Sequence, residues 1–200
     1  MKSNNLYFRG RVGLSKILSG LGVSHGDKVL IQAFTCVAVP EAIMSIGALP
    51  VYVDIENNSV NMDPKKLEDC LISNTQIKAV IVQHTFGIIA KMDIITKISK
   101  KYNVELIEDC CHSFGSSING KRAGSWGAAS FYSFEWGKPI VAGIGGSVET
   151  NNKELEYYLQ KNYSQLRSPG LLLNIKNTLQ MVAFFLLYRP RLYWPIKDMF

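Results

Sequence analysis

Several features that would decide a protein's class are missing from these 200 residues. Four cysteines occur, at positions 36, 70, 110 and 111, with neither CxxC spacing nor a paired histidine motif. That pattern excludes a zinc finger and leaves reduced thiols in a cytoplasmic protein as the simplest reading. No basic start leads through an apolar run to a small-residue cleavage site, so no signal peptide is expected. The longest apolar run near the end, Met181 to Tyr188, is far too short to span a bilayer. Acidic residues are scarce at the end: Lys161, Arg167, Lys176, Arg189, Arg191 and Lys197 face only Asp198. This tail carries about +5 of the total charge of +6, which leaves the first 160 residues nearly neutral. A nucleic-acid surface spreads basic residues over the folded body, so no nucleic-acid partner is expected.

What is present is a globular composition, 47% hydrophobic and 19% charged, long enough to bury a core in one domain or slightly more. Apolar residues at helical spacing run from Gly10 to about Leu21, and Gly22 supplies a stop. A buried strand Lys28–Gln32 follows, then a helix Pro40–Ile46 opened by proline and closed by Gly47. The alternation continues as strand Pro50–Val53, helix Pro64–Leu71, strand Lys78–Val82, helix Asp93–Tyr102 and strand Val104–Ile107. Short apolar strands between amphipathic helices predict an α/β fold, a mainly parallel sheet flanked by helices. Beyond it, Asn119-Gly120 marks a hairpin, and strands follow at Ser130–Phe134 and Ser147–Thr150 around the bend Gly143–Gly146. From Lys153 the chain tends to helix, with a break at Ser168-Pro169-Gly170 and Arg-Pro-Arg and Trp-Pro punctuation at the end.

Ligands of open α/β sheets sit beyond the carboxyl ends of the strands. Four features stand there: Asp109, His112 three residues on, Ser133, and Lys138 in the loop that follows. Gly10-Arg11 opens a helix whose free amides favour a phosphate. Each has an ordinary reading, as a cap, a hydrogen-bonded histidine, a solvated lysine or a plain helix start. Together they supply what pyridoxal phosphate needs: a lysine for the Schiff base, an acid to keep the ring nitrogen protonated, and donors for the phosphate.

Over residues 6–152 the motif order is Gly26-Asp-Lys-Val-Leu-Ile31, Ala33-Phe-Thr35, Gly47-Ala-Leu-Pro-Val-Tyr-Val-Asp54, His84-Thr-Phe-Gly87, Ile107-Glu-Asp-Cys-Cys-His-Ser113, Tyr132-Ser-Phe-Glu-Trp-Gly-Lys-Pro139 and Gly145-Gly-Ser-Val148. This order resembles the DegT/DnrJ/EryC1/StrS aminotransferases, fold-type I enzymes. The resemblance implies that Lys138 is the Schiff-base lysine and Asp109 the acid on the pyridine nitrogen. It puts His112 beside the ring's phenolic oxygen, and Ser133 with Gly10 and Arg11 at the phosphate. Arg11 stands where most members have Ser or Thr, which leaves its side chain and its backbone as alternative ligands. Cys36 stands where many members stack an aromatic on the ring. The retained lysine implies amino transfer from glutamate to a keto sugar, nucleotide-linked, in polysaccharide, lipopolysaccharide or antibiotic-sugar synthesis, by a homodimer.

Members of that family are longer. The resemblance therefore implies a cofactor-binding large domain at 1–152, incomplete at its N-terminus, and a helical, basic and apolar tail at 153–200 leading toward a small domain that is missing. A truncated, catalytically inert cofactor-binding or regulatory module is the alternative. The tail offers two readings as well: packing against the rest of a larger enzyme, or weak contact with an anionic membrane surface.

Overall fold

The computed structural model describes residues 5–166 and 170–189. Among them lies a seven-stranded sheet. Its strands are Asn5–Tyr7 (β1), Lys28–Gln32 (β2), Leu49–Val53 (β3), Ile77–Gln83 (β4), Glu105–Asp109 (β5), Ala129–Ser133 (β8) and Gly146–Thr150 (β9). In the order β1-β9-β8-β5-β4-β2-β3, the five strands from β8 to the edge strand β3 pair parallel, and β9 runs antiparallel to both β8 and β1. The expected α/β class is therefore the observed one.

Strand residues alternate between the two faces, which fixes what each side chain meets. Val29, Ile31, Ala79, Ile81, Ile107, Phe131 and Val148 point to one core, built with helices Gly10–Gly20 (α1), Ala38–Met44 (α2) and Lys153–Tyr163 (α5). Leu30, Val80, Val82 and Leu106 point to the other, closed by Pro64–Ser73 (α3) and Met92–Lys101 (α4). Large aliphatic residues in both cores, Leu14, Ile17, Leu67 and Ile95 among them, are sealed from water. Truncating any one of them to alanine costs about 2–5 kcal/mol. Both of the sheet's hydrophobic faces are thus covered, which a parallel sheet requires.

Local chemistry sets the helix starts. The Asp63 carboxylate accepts from the Lys65 amide at 2.8 Å, with Pro64 at the first helical position of α3. Asn152 caps α5 in the same way, at 2.9 Å to the Glu154 amide. The Asn119-Gly120 hairpin forms as expected, joining Ser117–Ile118 (β6) to Lys121–Arg122 (β7) with positive φ at both turn residues, 52° and 73°.

Three expectations need correction. The helix read as Pro40–Ile46 is Ala38–Met44; Pro40 falls inside its first turn, where an absent N–H breaks no helical bond. The strand read as ending at Ile107 runs on through Asp109, because Gln83 and Phe131 pair with Asp109 on either side. Strand β1 was not expected at all: three residues give no periodicity, and its register comes from β9, some 140 positions away. The chain after α5 resumes as the helix Leu171–Leu187 (α6), none of whose side chains is buried. Ser168, Pro169 and the Arg-Pro-Arg and Trp-Pro segments lie outside the described residues, apart from Gly170 and Arg189.

Candidate active site

The parity of β5 decides the site. Asp109 is in phase with Ile107 and points to the α1 side, where a cleft at the carboxyl ends of the strands is lined by Gly10, Arg11, Asp109, His112, Ser133 and Lys138. Residues from four separate segments of the sequence, each singled out by type, therefore meet in one place.

Lys138 reaches the cleft from the turn after β8. Its amide donates to the Glu135 carbonyl at 3.2 Å, and Gly137 takes φ +77°, a conformation that reverses the chain without a Cβ penalty. Lys138 Nζ lies 3.0 Å from His112 Nε2. The opposite ring nitrogen, Nδ1, accepts the Phe86 amide at 3.4 Å. The imidazole thus joins Lys138 on one side and the backbone of Phe86 on the other, with donor and acceptor roles at Nε2 set by the ring tautomer. Burial, then the nearby Lys138 charge, hold His112 below the ordinary histidine value of 6.5, while Asp109 pulls weakly the other way. Phe86 stacks on the imidazole, nearly coplanar at 8° and 5.7 Å between centroids. It does so from a backbone φ of +54°, a left-handed conformation that a bulky residue adopts only under constraint.

Asp109 is almost completely buried, and its Oδ1 accepts the Cys111 amide at 2.9 Å. Cys111 stays a thiol, its pKa pushed well up by burial and by the Asp109 charge. Ser133 ends β8 against the start of α1: a Cβ on Gly10 would meet the Tyr132 carbonyl at 3.0 Å and Ser133 Cβ at 3.3 Å. Only glycine lets the helix start sit this close to the strand. The N-cap residue of α1, Arg9, offers no side-chain cap, its carbonyl accepts from Val12 and Gly13, and it bridges to Gly145; the first-turn amides of Gly10 and Arg11 have no partner within the helix. The Arg11 guanidinium is paired with Glu41 of α2. Of the two roles left open for Arg11, its backbone is the group at the helix start. Cys36 lies on the cleft wall and brings no ring there.

Sequence reasoning passed over a second constellation beneath the cleft. Glu108, one residue before Asp109, points to the opposite face and is sealed from solvent. Its Oε1 accepts the amides of Trp126 and Gly127 at 2.6 and 2.7 Å. Its Oε2 accepts the Gly124 amide at 2.8 Å and His84 Nε2 at 3.0 Å. His84 Nδ1 accepts the Ala90 amide, so the imidazole is neutral and donates through Nε2. Burial alone would raise the Glu108 pKa; the bonds from His84, Gly127 and Gly124 outweigh it and bring it below 4.5. His84, Glu108 and Cys110 lie close enough to suggest a metal site. All four lone-pair positions of Glu108 and both nitrogens of His84 are already taken, so the trio is a structural lock. Gln83, also passed over, lines the cleft and accepts from Thr35 at 2.7 Å. The rule that found Asp109, inspection of strand carboxyl ends, would have found Gln83 too; nothing in the 24-residue spacing of His84 and Glu108 announces their pairing.

The chain has relatives among known proteins. The chain is 40% identical over 147 residues to the UDP-2-acetamido-2-deoxy-3-oxo-D-glucuronate aminotransferase of Pseudomonas aeruginosa, covering 73% of this chain and 40% of the relative. It is 40% identical over 157 residues to the dTDP-3-amino-3,6-dideoxy-alpha-D-galactopyranose transaminase of Aneurinibacillus thermoaerophilus, covering 77% and 43%. Among solved structures, an aminotransferase from Psychrobacter cryohalolentis superposes with a TM-score of 0.74 at 27% identity, over 82% of this chain and 44% of that one. PseC of Helicobacter pylori, an aminotransferase involved in the biosynthesis of pseudoaminic acid, gives 0.74 at 25% identity, over 83% and 45%. The chain thus spans about 40% of the length of the curated relatives it matches, and the fold is that of the large domain of fold-type I aminotransferases. With the family model matched from residue 9 to residue 183, this chain belongs to the DegT/DnrJ/EryC1/StrS aminotransferase family.

Proposed function

We propose that residues 1–152 form the pyridoxal-phosphate-binding part of an aminotransferase that moves an amine from glutamate to a nucleotide-linked keto sugar, with 153–200 as a helical extension. The observation that carries this reading is the 3.0 Å approach of Lys138 Nζ to His112 Nε2, in a cleft that also holds Asp109 and the start of α1. The donor set fits the cofactor: an amine beside an imidazole, a buried carboxylate, a serine and the first amides of a helix start. The relatives' names supply the sugar-nucleotide class.

When bound, pyridoxal phosphate supplies an electron sink for the carbon from which a proton is removed. The residues do the rest. The Gly10 and Arg11 amides with Ser133 hold the phosphate, while Asp109 keeps the pyridine nitrogen protonated from its dry position under the cleft. His112, its pKa held below 6.5, would stand beside the phenolic oxygen and 3.0 Å from Lys138 Nζ without adding a second charge there. Lys138 Nζ would take the proton from the substrate carbon that bears the amine and return it to the carbon on the far side of that nitrogen. The working enzyme is a cytoplasmic homodimer in this reading.

Mixing the purified chain with pyridoxal phosphate, reducing with borohydride and mapping peptides by mass spectrometry tests this directly. The cofactor mass is expected on Lys138 and is lost in Lys138→Ala; a label of equal yield elsewhere in that variant overturns the assignment. Glutamate added before reduction should discharge the label. Because the chain spans only part of its relatives' length, a label that glutamate leaves untouched would favour the inert, cofactor-binding module.

A further inference from the structure

Helix α6 is the one described helix with no buried side chain, although most of its 17 residues are apolar. The reason is that it is apolar on two sides. One side meets the body: the Phe184 ring lies 4.6 Å from that of Trp136, and Met181 and Leu173 border the same groove beside Gly143. The other side carries Leu172, Ile175, Leu179, Val182 and Leu186, alternately three and four residues apart, which aligns them in one stripe. These side chains are exposed by 84, 47, 63, 49 and 59%. A continuous stripe of this kind is costly in water and marks a covered surface.

Charge indicates what covers it. From Tyr157 to Lys197 the sequence has six cations and no acid; Lys176 lies within α6 and Arg189 just beyond it. A second copy would set like charge beside like charge along the seam, with no carboxylate to answer it. An anionic lipid surface offers an acyl layer to the stripe and phosphates to the flanking cations. At 1.5 Å per residue α6 is about 25 Å long, short of the hydrocarbon thickness, and no described helix is long and apolar enough to cross a membrane. We propose that α6 is an interfacial anchor that lays the Leu172–Leu186 stripe on an anionic membrane surface. The opposite side of α6 rests on Trp136 and beside Gly143, which flank Lys138 in sequence, so docking would tether the segment that carries the lysine to the surface.

The test is flotation of the full 200-residue chain with vesicles of equal parts phosphatidylglycerol and phosphatidylcholine, and with phosphatidylcholine alone. The chain is expected to float with the anionic vesicles, about tenfold less with the neutral ones, and less again as salt is raised. Leu179→Glu with Val182→Glu should abolish flotation while the circular dichroism spectrum is kept. Lys176→Gln with Arg189→Gln, which leaves the stripe intact, should weaken it about fivefold per cation. The proposal is overturned by an absence of flotation, or by a double glutamate variant that floats like the parent. It is also overturned by a dimer in vesicle-free solution that the glutamates dissolve, which would assign the stripe to a second copy.

Discussion

Glu108 and Asp109 are neighbouring carboxylates on one strand, both buried, yet their surroundings differ in kind. On the α3–α4 side, Glu108 is met by four fixed N–H donors, so every acceptor position is filled before any ligand arrives. On the α1 side, Asp109 accepts one backbone amide, that of Cys111, and lines an open cleft with Lys138 and His112. The saturated carboxylate ties β5 to the loop 124–127 and to His84 at the end of β4. The unsaturated one keeps acceptor capacity for chemistry. A buried charge is thus structural or functional according to whether the protein itself completes its shell.

That contrast can be broken at each point. The largest effect is expected at Asp109→Asn, which should leave the fold intact but slow discharge of the Lys138 label by glutamate roughly 10²–10³-fold, as loss of a preorganised electrostatic partner does. Rapid-mixing absorbance would follow it; an unchanged rate would move Asp109 out of the site. Glu108→Gln should do the reverse. Whichever oxygen becomes NH₂ then faces two N–H donors, and stability should fall by about 3 kcal/mol in urea titration, while the label still forms in the folded fraction. A stable Glu108→Gln protein would refute the lock. Gly10→Ala, whose new Cβ presses on the Tyr132 carbonyl, should weaken pyridoxal phosphate binding about tenfold, with stability lowered by about 1 kcal/mol, read by cofactor titration and melting.

The smallest effects concern pH. His112 has a folded pKa below 6.5, so as pH falls below 6.5 the unfolded chain takes up this proton first and stability declines, until the folded ring protonates as well. Glu108 has a folded pKa below 4.5; its contribution is complete above that value and is lost as pH falls through the folded pKa. Melting curves should therefore show one shallow step below pH 6.5, absent in His112→Ala, and a second below 4.5, absent in Glu108→Gln.

Much of this architecture is legible in the chain. The strands at 28–32 and 78–82 announce themselves because Val29–Ile31 and Ala79–Val82 are apolar and buried on both faces, whereas the edge strand at 50–53 is only partly buried and is read from its short apolar run. The cleft residues Asp109, Ser133 and Lys138 are found from their places at or after strand ends, a consequence of parallel topology. The His84–Glu108 lock, the Phe86–His112 stack and strand β1 escape for a shared reason. Each is a contact between segments far apart in sequence, or a backbone conformation that no residue type specifies.

Sequence alone therefore determined the fold class, the family pattern and which residues are candidates for chemistry, because periodicity and side-chain type are local properties. Only the tertiary structure decided which of two adjacent carboxylates opens on the cleft, that Arg11 turns to Glu41 and leaves its backbone at the helix start, and that α6 keeps an apolar stripe uncovered. These depend on strand register, on the parity of β5 and on what packs against each face, and those are set by contacts made across the whole chain.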